Sequence, residues 1–396
     1  MRILIAGTTY HPALNGQAIF TVNLAEGLAK RGHEVMVVIP SDRVHPYQIE
    51  RKGVQVVGVQ SISLRATHDD AFFPPFPGKA VQHIFETFHP EIAHIQDHYP
   101  LSRAVVFAAR RNHVKLVGTN HFMPENLAAY SGLLARYKPL HEWVGWTWMM
   151  EVYNRVDIAT AQSKNAATLI RTKGLRPPVY PVSCGIDLNR FRPDPQIDRK
   201  ACRERHGLGP DRKLFLFVGR VDAEKKLDVL LRAMALVKDK TVQLAVAGRG
   251  AALEELLALA TELNLGDRVR FIGYISNEEL HVLLNSADIF VMPSEAELLS
   301  LASLEAMACA CPVLLANAVA LPELVTPGVN GYLFKPGDPQ DAAHYIDLLA
   351  SQPECWVEMG KVSLAKAQVH GLEQTVEQYI MLYDKLLTGA ALPDLV

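Results

Sequence analysis

A chain of 396 residues exceeds one ordinary core, and at ~100 to 200 residues per domain it is expected to hold two. Hydrophobic residues at 49%, charged residues at 21%, and 25 Gly and 24 Pro spread along the chain exclude disordered and collagen-like classes. The net charge of -2 conceals an asymmetry, because residues 1–186 hold 19 Lys and Arg against 13 Asp and Glu and carry 11 of the 15 His. A basic half suits an anionic ligand or surface, although ordinary surface variation produces the same figure. No apolar run nears the ~18 residues of a membrane span, and the apolar run in MRILIAG is too short for a signal-peptide core, so a cytoplasmic protein is expected. The 5 Cys lack metal-ligand spacing, which points to reduced structural thiols and neither a disulfide framework nor a zinc site.

In chain order, strand candidates in the first half are RILIAG, EVMVVIP, VQVVGV, IAHIQ, VKLVGT and VDIATA. They alternate with amphipathic stretches such as AIFTVNLAEGLAKRG, where Ile19, Val22, Leu24, Ala25 and Leu28 make an apolar stripe and Gly32 stops the helix. The segment PVSCGIDLNRFRPDPQID, rich in Pro and Asp and weak in period, reads as a linker. The pattern then restarts with KLFLFVG, VQLAVAG, VRFIG, ADIFVM and CPVLLA. The expected architecture is α/β, with two doubly wound parallel-sheet domains facing each other across a cleft: residues 1–186, residues 187–371, and a C-terminal helix in 372–396 packing back on the first. Ligands of such sheets lie outside the carboxyl ends of strands, so the loops there hold the candidates.

After ADIFVM comes PSEAELLSLASLEAMACACPVLLANAVALPE. A helix beginning near Ser300 offers the amides of Leu299, Ser300 and Leu301 as a cradle for a phosphate or diphosphate. Glu305 on that helix can accept hydrogen bonds from ribose hydroxyls, or is a solvated glutamate. Glu297 on the loop can reach the sugar of a nucleotide sugar, or caps the helix. After KLFLFVG, Gly219 lets the chain turn, and Arg220 and Lys225 are placed to neutralise a diphosphate leaving group, or form an ordinary charged helix start. Gly248, after VQLAVA, permits close backbone approach. In the first half, Asn15, Gly16 and Gln17 precede a helix and form a further phosphate-approach site or a plain turn, while His121 stands just past VKLVGTN, where packing and catalysis are both open readings.

Together and in this order, NGQAIFTVNLAEGLAKRGHEV, TNH, SCGIDLNRFRP, GRVDAEKKLDVLL, PSEAELLSLASLEAMACACPV and LPELV resemble the family-four retaining glycosyltransferases of the GT-B fold, over nearly the whole chain. The resemblance implies an acceptor-binding first domain and a nucleotide-sugar-binding second domain. It further implies that Arg220 and Lys225 bind the donor diphosphate, Glu305 the ribose and Glu297 the transferred sugar, with His121 beside the reacting sugar. The implied reaction moves a hexose from a UDP-glucose-like donor to an acceptor hydroxyl with retention, the departing phosphate acting as base. No cofactor and no metal are expected, since no Asp-x-Asp is present and fixed cations serve the leaving group. The sequence departs from the family pattern at Asn15 or Gln17, at Leu298 to Ser300, near Ala310 and near Val319, where glycines are usual, and at Cys184, where asparagine is.

For the acceptor, Phe72, Phe73 and Phe76 among prolines, and Trp143, Trp146 and Trp148 near Arg136, Lys138 and His141, fit an enzyme lying on an anionic membrane and receiving a lipid, or are packing residues. HFMPENLAAY resembles bacterial diacylglycerol glucosyltransferases, which inclines the reading to a lipid acceptor and a peripheral place at the membrane. The alternatives are a soluble acceptor (a sugar, an inositol or a sugar phosphate) and, ranked lower, a nucleotide-sugar 2-epimerase. No nucleic-acid partner is expected.

Overall fold

The computed structural model describes residues 1–11, 15–63, 72–124 and 138–392, with only the backbone at 138–141. The chain forms two compact units, Met1–Gly185 with Leu372–Val396, and Ile186–Gly371.

The first unit contains β1 (Arg2–Ala6), α1 (Gly16–Lys30), β2 (Glu34–Pro40), β3 (Tyr47–Arg51), β4 (Val54–Val59), β5 (Ile62–Ser63), β6 (Phe72–Phe73), α2 (Gly78–Phe88), β7 (Ile92–Ile95), α3 (Pro100–Arg111), β8 (Lys115–Asn120), α4 (Lys138–Tyr153), β9 (Ile158–Ala161), α5 (Lys164–Thr172) and β10 (Val179–Pro181). Its main sheet runs β10-β9-β8-β7-β1-β2-β4-β3, parallel except for β3, and β5 pairs with β6 apart from it. β1, at the centre, buries Ile3, Leu4, Ile5 and Ala6 completely, as a strand covered by helices on both faces must. Helix starts carry side-chain caps: Asn15 Oδ1 accepts from Ala18 N and Ser163 Oγ from Ala166 N.

The second unit contains α6 (Arg199–Arg205), β11 (Lys213–Val218), α7 (Leu227–Leu236), β12 (Val242–Ala247), α8 (Leu253–Glu262), β13 (Val269–Gly273), α9 (Asn277–Ser286), β14 (Ile289–Met292), α10 (Leu301–Ala308), β15 (Val313–Ala316), α11 (Leu321–Leu324), β16 (Gly331–Phe334), α12 (Pro339–Ala350) and α13 (Trp356–Gln368). Its sheet is wholly parallel, in the order β13-β12-β11-β14-β15-β16. The unit's two ends are tied together, Ile186 N–H donating to His370 O at 2.9 Å.

The last helix, α14 (Leu372–Thr388), belongs to the first unit. Tyr379 and Tyr383 are fully buried there and reach polar groups of the sheet, with Tyr383 Oη 2.7 Å from His94 Nδ1 and Tyr379 Oη 3.0 and 2.9 Å from the hydroxyls of Thr119 and Thr160. α14 also corrects the expected stripe of α1. The buried residues are Ala18, Phe20, Thr21, Leu24, Ala25 and Leu28, while Ile19 is 37% exposed. The helix has a second partner that its own sequence does not announce: Phe20 stacks edge-on against Tyr379, and a Cβ at Gly27 would lie 2.5 Å from Val376.

Candidate active site

Among the parallel strands of each main sheet the order reverses once, between β11 and β14 in the second unit and between β1 and β7 in the first. At such a switch point neighbouring loops diverge to opposite faces and leave a crevice at the carboxyl ends of the strands. Arg220, Lys225, Glu297 and the start of α10 fall at the first point and Gly16 at the second, while Gly248 and His121 follow the neighbouring strands β12 and β8.

In the second unit, Gly219 follows β11 with φ +158, and the loop beyond it carries Arg220 and Lys225. Gly248 follows β12 with φ +146, and a Cβ there would stand 1.8 Å from Gly219 O. This glycine therefore serves the close packing of two loops, which are joined by Gly219 N–H to Ala247 O at 3.0 Å and Val221 N–H to Arg249 O at 2.9 Å. Lys225 Nζ donates to Glu297 Oε1 at 2.6 Å, linking the loop after β11 to the loop after β14, and lies 3.5 Å from Glu224. Burial acts to lower the Lys225 pKa, but the Glu297 and Glu224 carboxylates outweigh it and hold the ammonium above its ordinary value. Arg220 pairs with Asp222 and Glu224, each at 2.5 Å, and keeps half its side chain exposed. Two cations thus face three carboxylates.

α10 begins where expected. Ser300 is its N-cap, its Oγ accepting from Ser303 N–H at 3.2 Å, and the N–H groups of Leu299, Ser300 and Leu301 meet no acceptor among the described residues. Glu305 lies one turn after Leu301, partly buried, with no hydrogen-bond partner for its carboxylate among the described residues. Burial raises its pKa to about 7, against the opposing pull of Arg190. Arg190, in the linker segment, was not singled out from the sequence. Its guanidinium donates to Asn277 O and stacks 4.6 Å from the Phe191 ring.

In the first unit, the loops after β1 and β7 are joined by a buried carboxylate that sequence reading also missed. Asp97 Oδ2 accepts from Thr8 N–H at 2.6 Å and Gln17 Nε2 at 3.0 Å, while Oδ1 accepts from Tyr99 N–H at 3.1 Å and Ser102 Oγ at 2.7 Å. Gly16 opens α1, and a Cβ there would meet open space. His121 follows β8 directly, with both ring nitrogens engaged: Nε2 is 2.8 Å from Gln96 Oε1, and Nδ1 is 2.6 Å from Gln162 Nε2. The Phe20 ring packs on it at 4.7 Å. Burial lowers its pKa to about 3. Next to it, His98, Tyr99, Phe122 and Trp148 form one aromatic group, with His98 4.6 Å from Tyr99, 4.8 Å from Trp148 and 5.4 Å from Phe122.

Of the aromatic residues marked for a membrane, Phe76 is 91% exposed, Trp143 64% and Phe73 37%, whereas Trp146 is buried. Arg136 and residues 125–130 lie outside the described residues, as do the side chains of Lys138 and His141. Among the described residues no helix is long and apolar enough to cross a membrane. Cys202, His206 and Glu279 hold potential ligand atoms within 4.8 Å of one another, with Glu279 3.1 Å from His206 and 3.2 Å from Arg205.

Two doubly wound units, the second gathering two cations and a helix N-terminus at its switch point, are the arrangement of a nucleotide-sugar-dependent glycosyltransferase of the GT-B fold. Residues 198–363 match the family Glycosyl transferases group 1, and residues 14–190 match Glycosyltransferase Family 4. The chain is 33% identical over 304 residues to D-inositol 3-phosphate glycosyltransferase 2 of Catenulispora acidiphila, covering 74% of this chain and 70% of that protein. It is 28% identical to the putative glycosyltransferase EpsD of Bacillus subtilis, over 77% and 79% of the two chains. Among solved structures it resembles sucrose-phosphate synthase from Thermosynechococcus elongatus (TM-score 0.81, 22% identity, 98% of this chain and 99% of that one). It also resembles Anabaena HepE in complex with UDP-glucose (TM-score 0.79, 20% identity, 97% and 100%). The chain belongs to the family-four glycosyltransferases.

Proposed function

We propose that this enzyme moves a hexose, with retention, from a UDP-glucose-like donor to a hydroxyl of a soluble polyol or sugar. The observation that carries the reading is the Lys225–Glu297 pair at 2.6 Å, with Arg220 and the open amides of α10 around the switch point. In this reading a diphosphate displaces the carboxylates from Arg220 and Lys225. Those cations and the α10 amides then stabilise the leaving oxygens, Glu305 holds the ribose and Glu297 the sugar. The bond from the anomeric carbon to the diphosphate breaks, the acceptor oxygen bonds on the same face, and its proton passes to the departing diphosphate. The relatives named as D-inositol 3-phosphate glycosyltransferases support a small soluble acceptor, and the aromatic group around His98 offers ring faces suited to one. With these fixed cations in place, turnover is expected to survive EDTA.

The test is turnover of UDP-glucose with myo-inositol as acceptor. Lys225→Ala is expected to lower kcat/KM by at least about a hundredfold, in line with losing a cation aimed at developing charge. A rate near that of the parent would overturn the assignment.

A second reading, a lipid acceptor such as diacylglycerol with the protein lying on the cytoplasmic membrane face, is favoured by Phe76 and Trp143, 91% and 64% exposed. Co-sedimentation with phosphatidylglycerol vesicles, weakening in salt, would support it. A protein that stays in the supernatant at low salt excludes it.

A further inference from the structure

Gln96, His121 and Gln162 share one position in the fold: each is the first residue beyond a strand, namely β7, β8 and β9, which are neighbours in the sheet. The row is held by two hydrogen bonds of opposite sense. His121 Nε2–H donates to Gln96 Oε1 at 2.8 Å, and Gln162 Nε2–H donates to His121 Nδ1 at 2.6 Å. A ring with one donating and one accepting nitrogen carries one proton. A second proton on Nδ1 would point at the Gln162 amide N–H, donor against donor. Phe20 covers one face of the ring at 4.7 Å, so the imidazole cannot turn over without losing both bonds.

We propose that Gln96 and Gln162 are positioning residues that lock His121 as the neutral Nε2–H tautomer, so that His121 stands against the reacting sugar as a fixed, uncharged surface and takes no proton from the acceptor. This deepens the reading above, and the placement of His121 beside the reacting sugar rests on that reading together with the family resemblance. Two further observations agree. Burial lowers the His121 pKa to about 3. Gln96 is fully buried and its Nε2 has no partner among the described residues, an arrangement that costs ~1–3 kcal/mol and persists beside this histidine.

Among the described residues burial is what sets the His121 ring, and the Asp97 carboxylate nearby is taken up by its own donors. The titratable groups are His94 on β7, Asp97 beyond it, Tyr153 on α4 and Tyr379 on α14; β9 contributes Thr160 and Gln162, and α1 contributes Phe20. His94 is itself held at both nitrogens, by Tyr383 and Thr119, and burial lowers its pKa to about 3. Asp97 spends both oxygens on its four donors.

The experiment follows imidazole nitrogen shifts in the full-length protein labelled with 15N-histidine, from about pH 5 to 8, the window of an ordinary histidine. The His121 signals are assigned by their loss in His121→Gln. One protonated and one bare nitrogen throughout is the expected result; titration near about 6.5 would overturn the lock. Gln162→Glu places an acceptor at Nδ1, so its His121 should titrate inside the window, and turnover of UDP-glucose should fall about tenfold or more on the acid side, where the parent shows no such limb. Gln162→Met, of similar size without the hydrogen bond, should lower kcat about tenfold with KM for UDP-glucose nearly unchanged. Melting curves confirm that both variants fold. Parent-like turnover in both would overturn the positioning role even with a neutral ring. A parent inactive on UDP-glucose would count against the proposed donor, and the nitrogen shifts would still decide the lock.

Discussion

Glu305 couples the candidate ribose site to stability. Its folded pKa of about 7 lies above the ordinary 4.5, so between those pH values the folded protein keeps a proton that the unfolded chain has shed. Stability therefore falls as pH rises through this window. Glu305→Gln removes the effect: thermal melts should show the variant gaining on the parent from about pH 5 upward and levelling off above about pH 7. A gap that stays constant with pH would show that Glu305 titrates normally. Ala310 and Val319 tell a related story in the backbone. Both have left-handed conformations, φ +58 and +45, at places where the family resemblance leads one to expect glycine nearby. For a β-branched residue this conformation is strained by ~1–3 kcal/mol. Val319→Gly should raise the unfolding free energy by about 1 kcal/mol after glycine's extra chain entropy, and Ala310→Gly by less, as read from denaturant midpoints.

At the scale of elements, legibility followed burial. RILIAG, VQLAVA and ADIFVM announce β1, β12 and β14, because a strand covered on both faces reads as a continuous apolar run. The strands not anticipated are β3, β10 and β16, all at the edges of the two main sheets, and the two-residue strands β5 and β6 of the separate ribbon; β3 is largely exposed. An edge strand takes its place from the neighbour it pairs with, which local sequence does not record. The site divides in the same way. Arg220, Lys225, Glu297 and Glu305 were singled out because loops and helix starts carry their own signals, and the structure brings Lys225 and Glu297 together. Gln96, Asp97, Gln162 and Arg190 act through partners remote in sequence, such as Asp97 with Gln17, and nothing near them marks the pairing. α14 is a further case, contributing Tyr379 and Tyr383 to a hydrogen-bonded group with His94, Thr119 and Thr160. Tyr379→Phe and Tyr383→Phe should each cost about 1–2 kcal/mol in denaturant unfolding, since each strands buried partners. The double variant should fall short of the sum, because Thr119 touches both halves of the group. Full additivity would show that the two hydroxyls act independently.

At the scale of the whole molecule, each unit places a loop-joining contact at its switch point: Lys225 to Glu297 in one, Asp97 to Thr8 and Gln17 in the other. The loops at the carboxyl edge of each sheet are thus tied to one another within each of two separately wound cores.

The division into two cores sets an order of assembly. The second unit is continuous from Ile186 to Gly371, whereas the first is completed only by residues from Leu372 onward. On the ribosome, domains ordinarily mature from the N-terminus. Here the first unit to emerge is expected to be the last to finish, waiting as an open sheet for Tyr379 and Tyr383 to reach it. A nascent chain stalled after Gly371 should accordingly show a protease-resistant second unit and a first unit still open to cleavage, and release of the full chain should close it. Early protection of the first unit in the stalled chain would mean that the sheet seals without its last helix.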